Sequence, residues 1–393
     1  MTTILVAAER VGRGGGMERY LDVVLPALIA RGVRAHVVAR EIDRLPHGVG
    51  GEQFAWADEH DEPSAAARDA VAQRIASLQP DVTVAHNVMD AGVLEALRAA
   101  PRAVYHVHDH RPFCPNGDRV FPRTGRNCTL ALGKPCALHA VLDGCAYGPR
   151  PRTAQLIRRR ERLRDAIAAT DAIVVASDYV AQLAASSAVP RERIVTLPLP
   201  LPDEAYAGAC AAQPPSTAPR TVVFAGRVVP QKGLDSLVRA LARIDAATRP
   251  LLRAFGDGPA LADVRTEAAR LGVALDAPGA VDAATVRAAI DGAAMVALPS
   301  QWAEPFGYVG IEAFARGRPV VAYEGGGIGA WLVDGANGRA VARGDEAALA
   351  DAIARLLADD VLRERLGARA RDDAERFRVM PVVDQLFAAY HVK

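Results

Sequence analysis

The sequence predicts an α/β protein built from two doubly wound parallel-sheet domains in tandem. Three observations lead there. The chain has 393 residues, more than one ordinary core organises and comfortable for two domains. Short apolar runs alternate with longer amphipathic segments along its whole length, the pattern of βαβ units. The alternation is interrupted near the middle by a stretch of small residues dense in proline.

The elements follow in order. Strand-like runs occur at Ile4–Ala8, Ala35–Ala39, Val82–His86, Ala103–Val107, Ala172–Ala176 and Ile194–Leu197. Helical spacing fits Met17–Ala30, Ser64–Leu78 and Arg152–Ala169 between them. Pro198, Pro200, Pro202, Pro214, Pro215 and Pro219 then exclude the interior of any regular element. Residues 198–219 therefore read as an interdomain connection. The second half repeats the pattern, with strands at Thr221–Ala225, Leu251–Phe255, Ala293–Leu298 and Pro319–Tyr323. Helices fit Leu234–Ile244, Ala260–Leu271, Ala283–Asp291, Gly310–Ala315 and Glu346–Leu357, and a long terminal helix follows. The expected division is a first domain 1–197, the connection 198–219, a second domain 220–375, and a C-terminal helix 376–393 packing back toward the first domain. Doubly wound sheets bind ligands beyond the C-terminal strand ends. With two such domains, the cleft between them is the natural site.

Composition removes several functions. A net charge of +1 gives no electrostatic reason to expect nucleic acid as a partner. No apolar run approaches the ~18 residues of a membrane-spanning helix. Met1-Thr2-Thr3-Ile4 leads straight into a strand without the charged start of a secretory signal, so a cytoplasmic location is expected.

The motifs lie at strand ends. Phe224-Ala225-Gly226-Arg227-Val228-Val229-Pro230-Gln231-Lys232-Gly233 links a strand to a helix. Its glycines allow close backbone approach, and Arg227 and Lys232 bring two cations beside a helix N-terminus, which suits a diphosphate. A surface loop with two solvated charges is the plain alternative. Glu304-Pro305-Phe306-Gly307-Tyr308-Val309-Gly310-Ile311-Glu312 carries one carboxylate in a loop and a second expected in the first turn of a helix. An acid there can be a simple dipole partner, which covers Glu312 but not the whole run. Glu324-Gly325-Gly326-Gly327-Ile328-Gly329 follows the next strand and can expose amides to an anion.

In the first half, Gly14-Gly15-Gly16-Met17-Glu18 follows the first strand. Read from Gly12, the third glycine of a dinucleotide fingerprint is replaced by Met17, which disfavours a nicotinamide dehydrogenase. Tyr105-His106-Val107-His108-Asp109-His110 ends another strand, with His106 and His108 on one face. His86-Asn87 ends a third.

The Gly-Arg…Lys-Gly element, the Glu-x7-Glu element and the following glycine-rich loop, in this order and spacing, resemble glycosyltransferase family 4, a family of retaining GT-B enzymes. The resemblance covers nearly the whole chain and is strongest over 221–340. It implies a GT-B fold, a nucleoside-diphosphate sugar as donor, and transfer to a glycan, lipid-linked or small-molecule acceptor, in bacterial surface polysaccharide or glycoconjugate synthesis. Arg227 and Lys232 would bind the diphosphate, Glu312 the ribose hydroxyls, and Glu304 would face the donor sugar. The Phe306 and Gly307 amides would lie near the sugar or phosphates. Gly15, Gly16 and Glu18 resemble the family's Gly-Gly-x-Glu loop, which approaches donor phosphates and acceptor. His108 takes the place of the family's histidine beside the donor sugar, with His106 as fallback. Asp109, His86 and Glu18 are acceptor-side candidates. No Asp-x-Asp motif suggests a catalytic divalent ion, so no cofactor is expected for catalysis. A sugar-nucleotide epimerase and a non-catalytic nucleotide-sugar-binding protein share this logic and stay open; product analysis with and without acceptor separates them.

Two features stand outside that reading. Cys114, Cys128, Cys136 and Cys145 crowd into one segment with spacing C-x13-C-x7-C-x8-C, while Cys210 stands alone. Structural zinc, buried free thiols and a redox pair are the readings. Arg150, Arg152, Arg158, Arg159, Arg160, Arg162 and Arg164 crowd one helix beside Leu156, Ile157 and Leu163. That helix could touch anionic membrane or an acidic acceptor, or be a solvated face.

Overall fold

A computed structural model describes residues 1–12, 14–58, 61–145, 150–207 and 220–392. Cys210, most of the expected connection (208–219) and the side chain of Arg150 lie outside the described residues. The chain forms two compact units, Met1–Pro200 together with Val379–Lys393, and Leu201–Arg378.

The first unit holds strands β1 (Thr3–Val11), β2 (Arg34–Ile42), β3 (Gly50–Gln53), β4 (Val82–His86), β5 (Ala103–Val107), β6 (Ala172–Val175) and β7 (Ile194–Thr196). They form one parallel sheet in the order β3-β2-β1-β4-β5-β6-β7. Strand order reverses between β1 and β4, the switch point of a doubly wound sheet. The apolar run in β1 serves both faces. Ile4, Val6 and Ala8 join one core with Leu21, Leu25, Val382 and Leu386. Leu5 and Ala7 join the other with Val71, Leu94 and Ile167. A strand buried on both faces reads as continuous hydrophobicity rather than alternation.

The second unit holds β8 (Thr221–Ala225), β9 (Leu251–Phe255), β10 (Leu275–Gly279), β11 (Met295–Leu298), β12 (Val320–Tyr323) and β13 (Gly338–Val341). Its parallel order is β10-β9-β8-β11-β12-β13, with the switch point between β8 and β11.

Two expectations about the chain's path change. Leu201–Ala207, expected in the connection, belongs to the second unit: Tyr206 is buried and donates to the Ala374 carbonyl at 2.8 Å. The expected long terminal helix is broken into Asp360–Ala374 and Val379–Tyr390. Pro381 explains the break. It lacks an amide for the Phe377 carbonyl and clashes with a helical residue there, which a helix tolerates only in its first turn. The Phe377 carbonyl accepts from the Leu201 amide instead, at 2.6 Å. The helix Val379–Tyr390 then packs on the helix Gly16–Ala30 of the first unit.

Candidate functional site

At the strand ends of the second unit, four loops meet through glycine. Gly226 follows β8, and its amide bonds the Phe255 carbonyl at 2.9 Å. A Cβ on Gly256 would sit 1.9 Å from the Gly226 carbonyl oxygen, and one on Gly258 2.3 Å from that of Val228. The loop Gly256-Asp257-Gly258 is thus a further part of this site, and its only signal in the sequence is a glycine pair at a strand end. Gly233, at φ +69°, leaves no room for a Cβ, which would lie 1.9 Å from the Pro299 carbonyl oxygen. This ties the β8 loop to the β11 loop, as does the 2.8 Å bond from Gln301 N–H to the Gln231 carbonyl.

The joined loops bring Lys232 and Glu304 together. Lys232 Nζ lies 2.6 Å from Glu304 Oε1, and the Ser300 hydroxyl donates to the same oxygen at 2.6 Å. The ammonium also stands over the Trp302 ring, 5.4 Å from its centroid. Glu304 is 4% exposed. Burial pushes its carboxyl up, but the Lys232 charge and hydrogen bonds from Lys232, Ser300 and Trp302 outweigh burial and hold it below its ordinary range. Ser300 and Trp302 were not among the expected residues; only the fold shows them converging.

Glu312 is buried, and it sits in the second turn of the helix Tyr308–Ala315, not the first as expected. The helix starts earlier because Gly307, at φ +89°, caps it. Phe306 is buried, so only its backbone is offered. Its carbonyl accepts from Trp331 Nε1 at 2.6 Å, and Trp331 fills the space a Cβ on Gly310 would need. Within the glycine run, the Gly327 amide bonds the Glu304 carbonyl at 2.6 Å, so that one amide is not free for an anion. Arg227 is exposed and makes no ion pair among the described residues.

The first unit brings together a different set. In the β4–β5 register His86 stands opposite His106. His86 Nδ1 and His108 Nε2 are 2.9 Å apart, and the Tyr390 hydroxyl is 2.8 Å from His106 Nε2. The Tyr20 ring lies 5.1 to 5.6 Å from all three imidazoles. Burial drives all three histidines toward the neutral form, His108 down to about 4. His86, expected on the acceptor side, is fully buried and reaches outward only through His108. Asn87, at φ +51°, accepts the His108 amide on its side-chain oxygen at 2.9 Å, a strained residue fixing the loop. Asp109 accepts from Arg111 N and Nε at 2.9 and 2.8 Å, so it holds the next turn. Gly15 and Gly16 are exposed, and the Glu18 carboxylate accepts the Gly15 amide at 2.8 Å, capping the helix Gly16–Ala30.

The four expected zinc thiols carry no disulfide. Cys114, Cys128 and Cys136 all act electrostatically on Cys145, but their ligand atoms are not gathered within 4.8 Å of one another. Among the described residues, the group of three or more His, Cys, Asp or Glu with ligand atoms within 4.8 Å of one another is His86, His106 and His108. The Cys114 thiol is buried instead in a tight turn against the Asn116 and Arg119 amides. The basic helix, observed as Arg150–Ala168, also differs from expectation. Leu156, Ile157 and Leu163 are buried, as is Arg160; Arg159 pairs with Glu62 at 2.7 Å and Arg162 with Glu95 at 3.3 Å.

Two doubly wound units of this strand order, one with a cation–carboxylate pair on glycine-packed strand ends, define the GT-B class. The chain belongs to the group 1, family 4 glycosyltransferases: the family model "Glycosyltransferase Family 4" matches residues 14–204 and "Glycosyl transferases group 1" matches 211–373. It is 37% identical over 175 residues to the phosphatidyl-myo-inositol mannosyltransferase of Mycobacterium leprae, covering 44% of this chain and 46% of that one. It is 38% identical over 185 residues to the D-inositol 3-phosphate glycosyltransferase of Stackebrandtia nassauensis, covering 42% and 40%. The matched stretch thus spans less than half of these relatives. Over full length the fold is that of Anabaena HepE, solved in complex with UDP, with a TM-score of 0.74, 19% identity and 100% of each chain covered. It is also that of WaaG, a glycosyltransferase involved in lipopolysaccharide biosynthesis, at TM-score 0.70 and 18% identity over 99% of this chain and 100% of that one. No helix among the described residues is long and apolar enough to cross a membrane.

Proposed function

We propose that this chain is a retaining glycosyltransferase that moves a sugar from a nucleoside-diphosphate sugar to a glycan, lipid-linked or small-molecule acceptor. The observation that carries this is the buried Lys232–Glu304 pair on glycine-locked loops at the switch point of the second unit. UDP and UDP-glucose in the HepE complexes support a uridine-type donor. In the proposed reaction the bond from the anomeric carbon to the phosphate oxygen breaks. The acceptor oxygen bonds that carbon on the same face, and its proton passes to the departing phosphate. Arg227 and Lys232 meet the growing phosphate charge without a divalent ion. Glu312 binds the ribose hydroxyls, and His108 contacts the donor sugar.

The test is a thermal-shift panel of UDP, GDP, ADP and dTDP sugars on metal-free protein. A ligand bound only by the folded state raises the melting temperature with its concentration. One nucleotide class should stabilise the wild type, with most of the response lost in Glu312→Ala. No response from any class would remove the donor-site reading. NMR of the product's anomeric configuration then tests retention.

Contact with an anionic membrane is the second part of the proposal, carried differently than the sequence suggested. Leu138, Val141 and Leu142 are 58%, 53% and 54% exposed on the helix Lys134–Leu142, which packs against the basic helix. Exposed leucines beside arginines such as Arg158, which is exposed and makes no ion pair among the described residues, suit a lipid surface. Flotation with anionic vesicles should capture the wild type and lose Leu138→Asp/Leu142→Asp. Equal capture of both would sink this part.

A further inference from the structure

We propose that His86, His106 and His108 form a three-imidazole site for a divalent transition ion of the zinc type. The arrangement follows from the sheet. β4 and β5 pair in register with His86 opposite His106, and His106-Val107-His108 places two imidazoles on one face of β5. One ligand atom from each residue lies within 4.8 Å of the others, and the His86 and His108 nitrogens are 2.9 Å apart. Three histidines are a recognised zinc ligand set, leaving a fourth position for water or another ligand.

The surroundings fit the same reading. A metal-bound imidazole ordinarily gives its second nitrogen to an outer partner that fixes the ring. His106 has one in Tyr390, whose hydroxyl lies 2.8 Å from Nε2, so coordination through Nδ1 keeps that bond. Asn87 fixes the backbone of His108. His86 and His106 are each 2% exposed while His108 is partly exposed, so an ion enters on the His108 side. Three neutral ligands leave the ion its full charge, and the open position then takes water or an anionic oxygen. Imidazole suits zinc, cobalt, nickel and copper, whereas magnesium and calcium prefer oxygen ligands.

The inference goes beyond sugar transfer and is tested on resting protein without nucleotide sugar, because an ion on His108 competes with that residue's proposed role. Chelator-stripped full-length protein is titrated with Co2+, following visible d–d absorption, with metal analysis for stoichiometry. We expect one ion per chain and no sulfur-to-metal charge-transfer band. Affinity should fall on the order of 100-fold in His106→Asn, and about 10-fold in Tyr390→Phe, the size of an outer-partner loss. Cys128→Ser should bind as the wild type does. His108→Asn, at the partly exposed member, decides the matter if circular dichroism shows that His106→Asn does not fold. No binding, binding unchanged in the histidine variants, or a charge-transfer band lost in Cys128→Ser would each overturn the proposal. None of these outcomes depends on the donor-site reading, which the nucleotide panel tests separately.

Discussion

Glu304 is a buried carboxylate whose ionised state rests first on one ammonium, with hydrogen bonds from Ser300 and Trp302 beside it. Lys232 supplies the ammonium at 2.6 Å, with 23% of the lysine side chain exposed against 5% of the glutamate's. Removing one partner of a buried pair leaves an uncompensated charge and costs about 3–5 kcal/mol; the partly solvated lysine brings that to roughly 2–3 kcal/mol. Lys232→Ala should therefore destabilise the second unit by about that much in urea unfolding at neutral pH. The pH dependence gives a sharper test. The folded pKa of Glu304 lies below its ordinary 4.5, so its contribution is full above 4.5 and lost as pH falls through the folded value. In Lys232→Ala the opposing lysine charge and bond are gone, burial dominates, and the folded pKa rises above 4.5. The contribution is then present below 4.5 and lost as pH rises through the new value. The deficit of the variant should shrink on going from pH 7 to pH 4, and a deficit constant over that range would refute the pairing. At this scale the sequence showed which residues carry charge, because Arg227, Lys232, Glu304 and Glu312 sit in a readable order. It did not show that Ser300 closes the pair or that Trp331 braces the loop, because those contacts join separate strand ends.

At the scale of elements, glycine decides where loops can meet. Gly326 has φ +64°, and a Cβ there would lie 2.2 Å from the Glu304 carbonyl oxygen; Gly329, in the same run, would meet nothing within 4 Å. Gly326→Ala should cost more than about 2 kcal/mol and displace Glu304, whereas Gly329→Ala should stay within about 0.5 kcal/mol. Thermal unfolding with and without the stabilising nucleotide checks both, and similar costs for the two would mean that the run is only a flexible loop. The run was legible as special but not as packing, since sequence alone cannot tell an amide offered to an anion from one bonded to a neighbouring carbonyl. Strands divide in the same way. β1, β4, β5, β8 and β11 lie at the middle of their sheets and announced themselves by hydrophobicity. β3 (Gly-Gly-Glu-Gln), β10 (with Pro278) and β13 lie at or near sheet edges, where short, polar or proline-bearing strands are the rule, and they were not anticipated.

At the scale of the whole molecule, the chain makes its first unit from two separated pieces. The tandem α/β organisation was legible because both halves repeat the same alternation, and so was a final helix returning to the first unit, expected from 376 and observed from Val379 after the break that Pro381 imposes. Val379, Val382, Val383, Leu386 and Tyr390 from the final helix are each no more than 8% exposed. Burying side chains of this kind stabilises by ~1.5–3 kcal/mol apiece, so together they rival the stability of an ordinary domain. Arg102 adds hydrogen bonds to the Ala389 carbonyl at 3.1 and 2.7 Å, and Arg31 pairs with Asp384 at 2.7 Å. Ending the chain after Arg378 should therefore unfold the first unit or lower its melting transition steeply. The second unit, with its sheet complete between Leu201 and Arg378, should keep its transition and its upward shift with nucleotide. Calorimetry on the truncated and full chains, each with and without the stabilising nucleotide, separates the two. Loss of the first transition alone would show that the last helix is a structural part of the first unit and that donor binding resides in the second. If the nucleotide-responsive transition is lost as well, the second unit is not an autonomous binder and the assignment of the donor site to it alone is wrong.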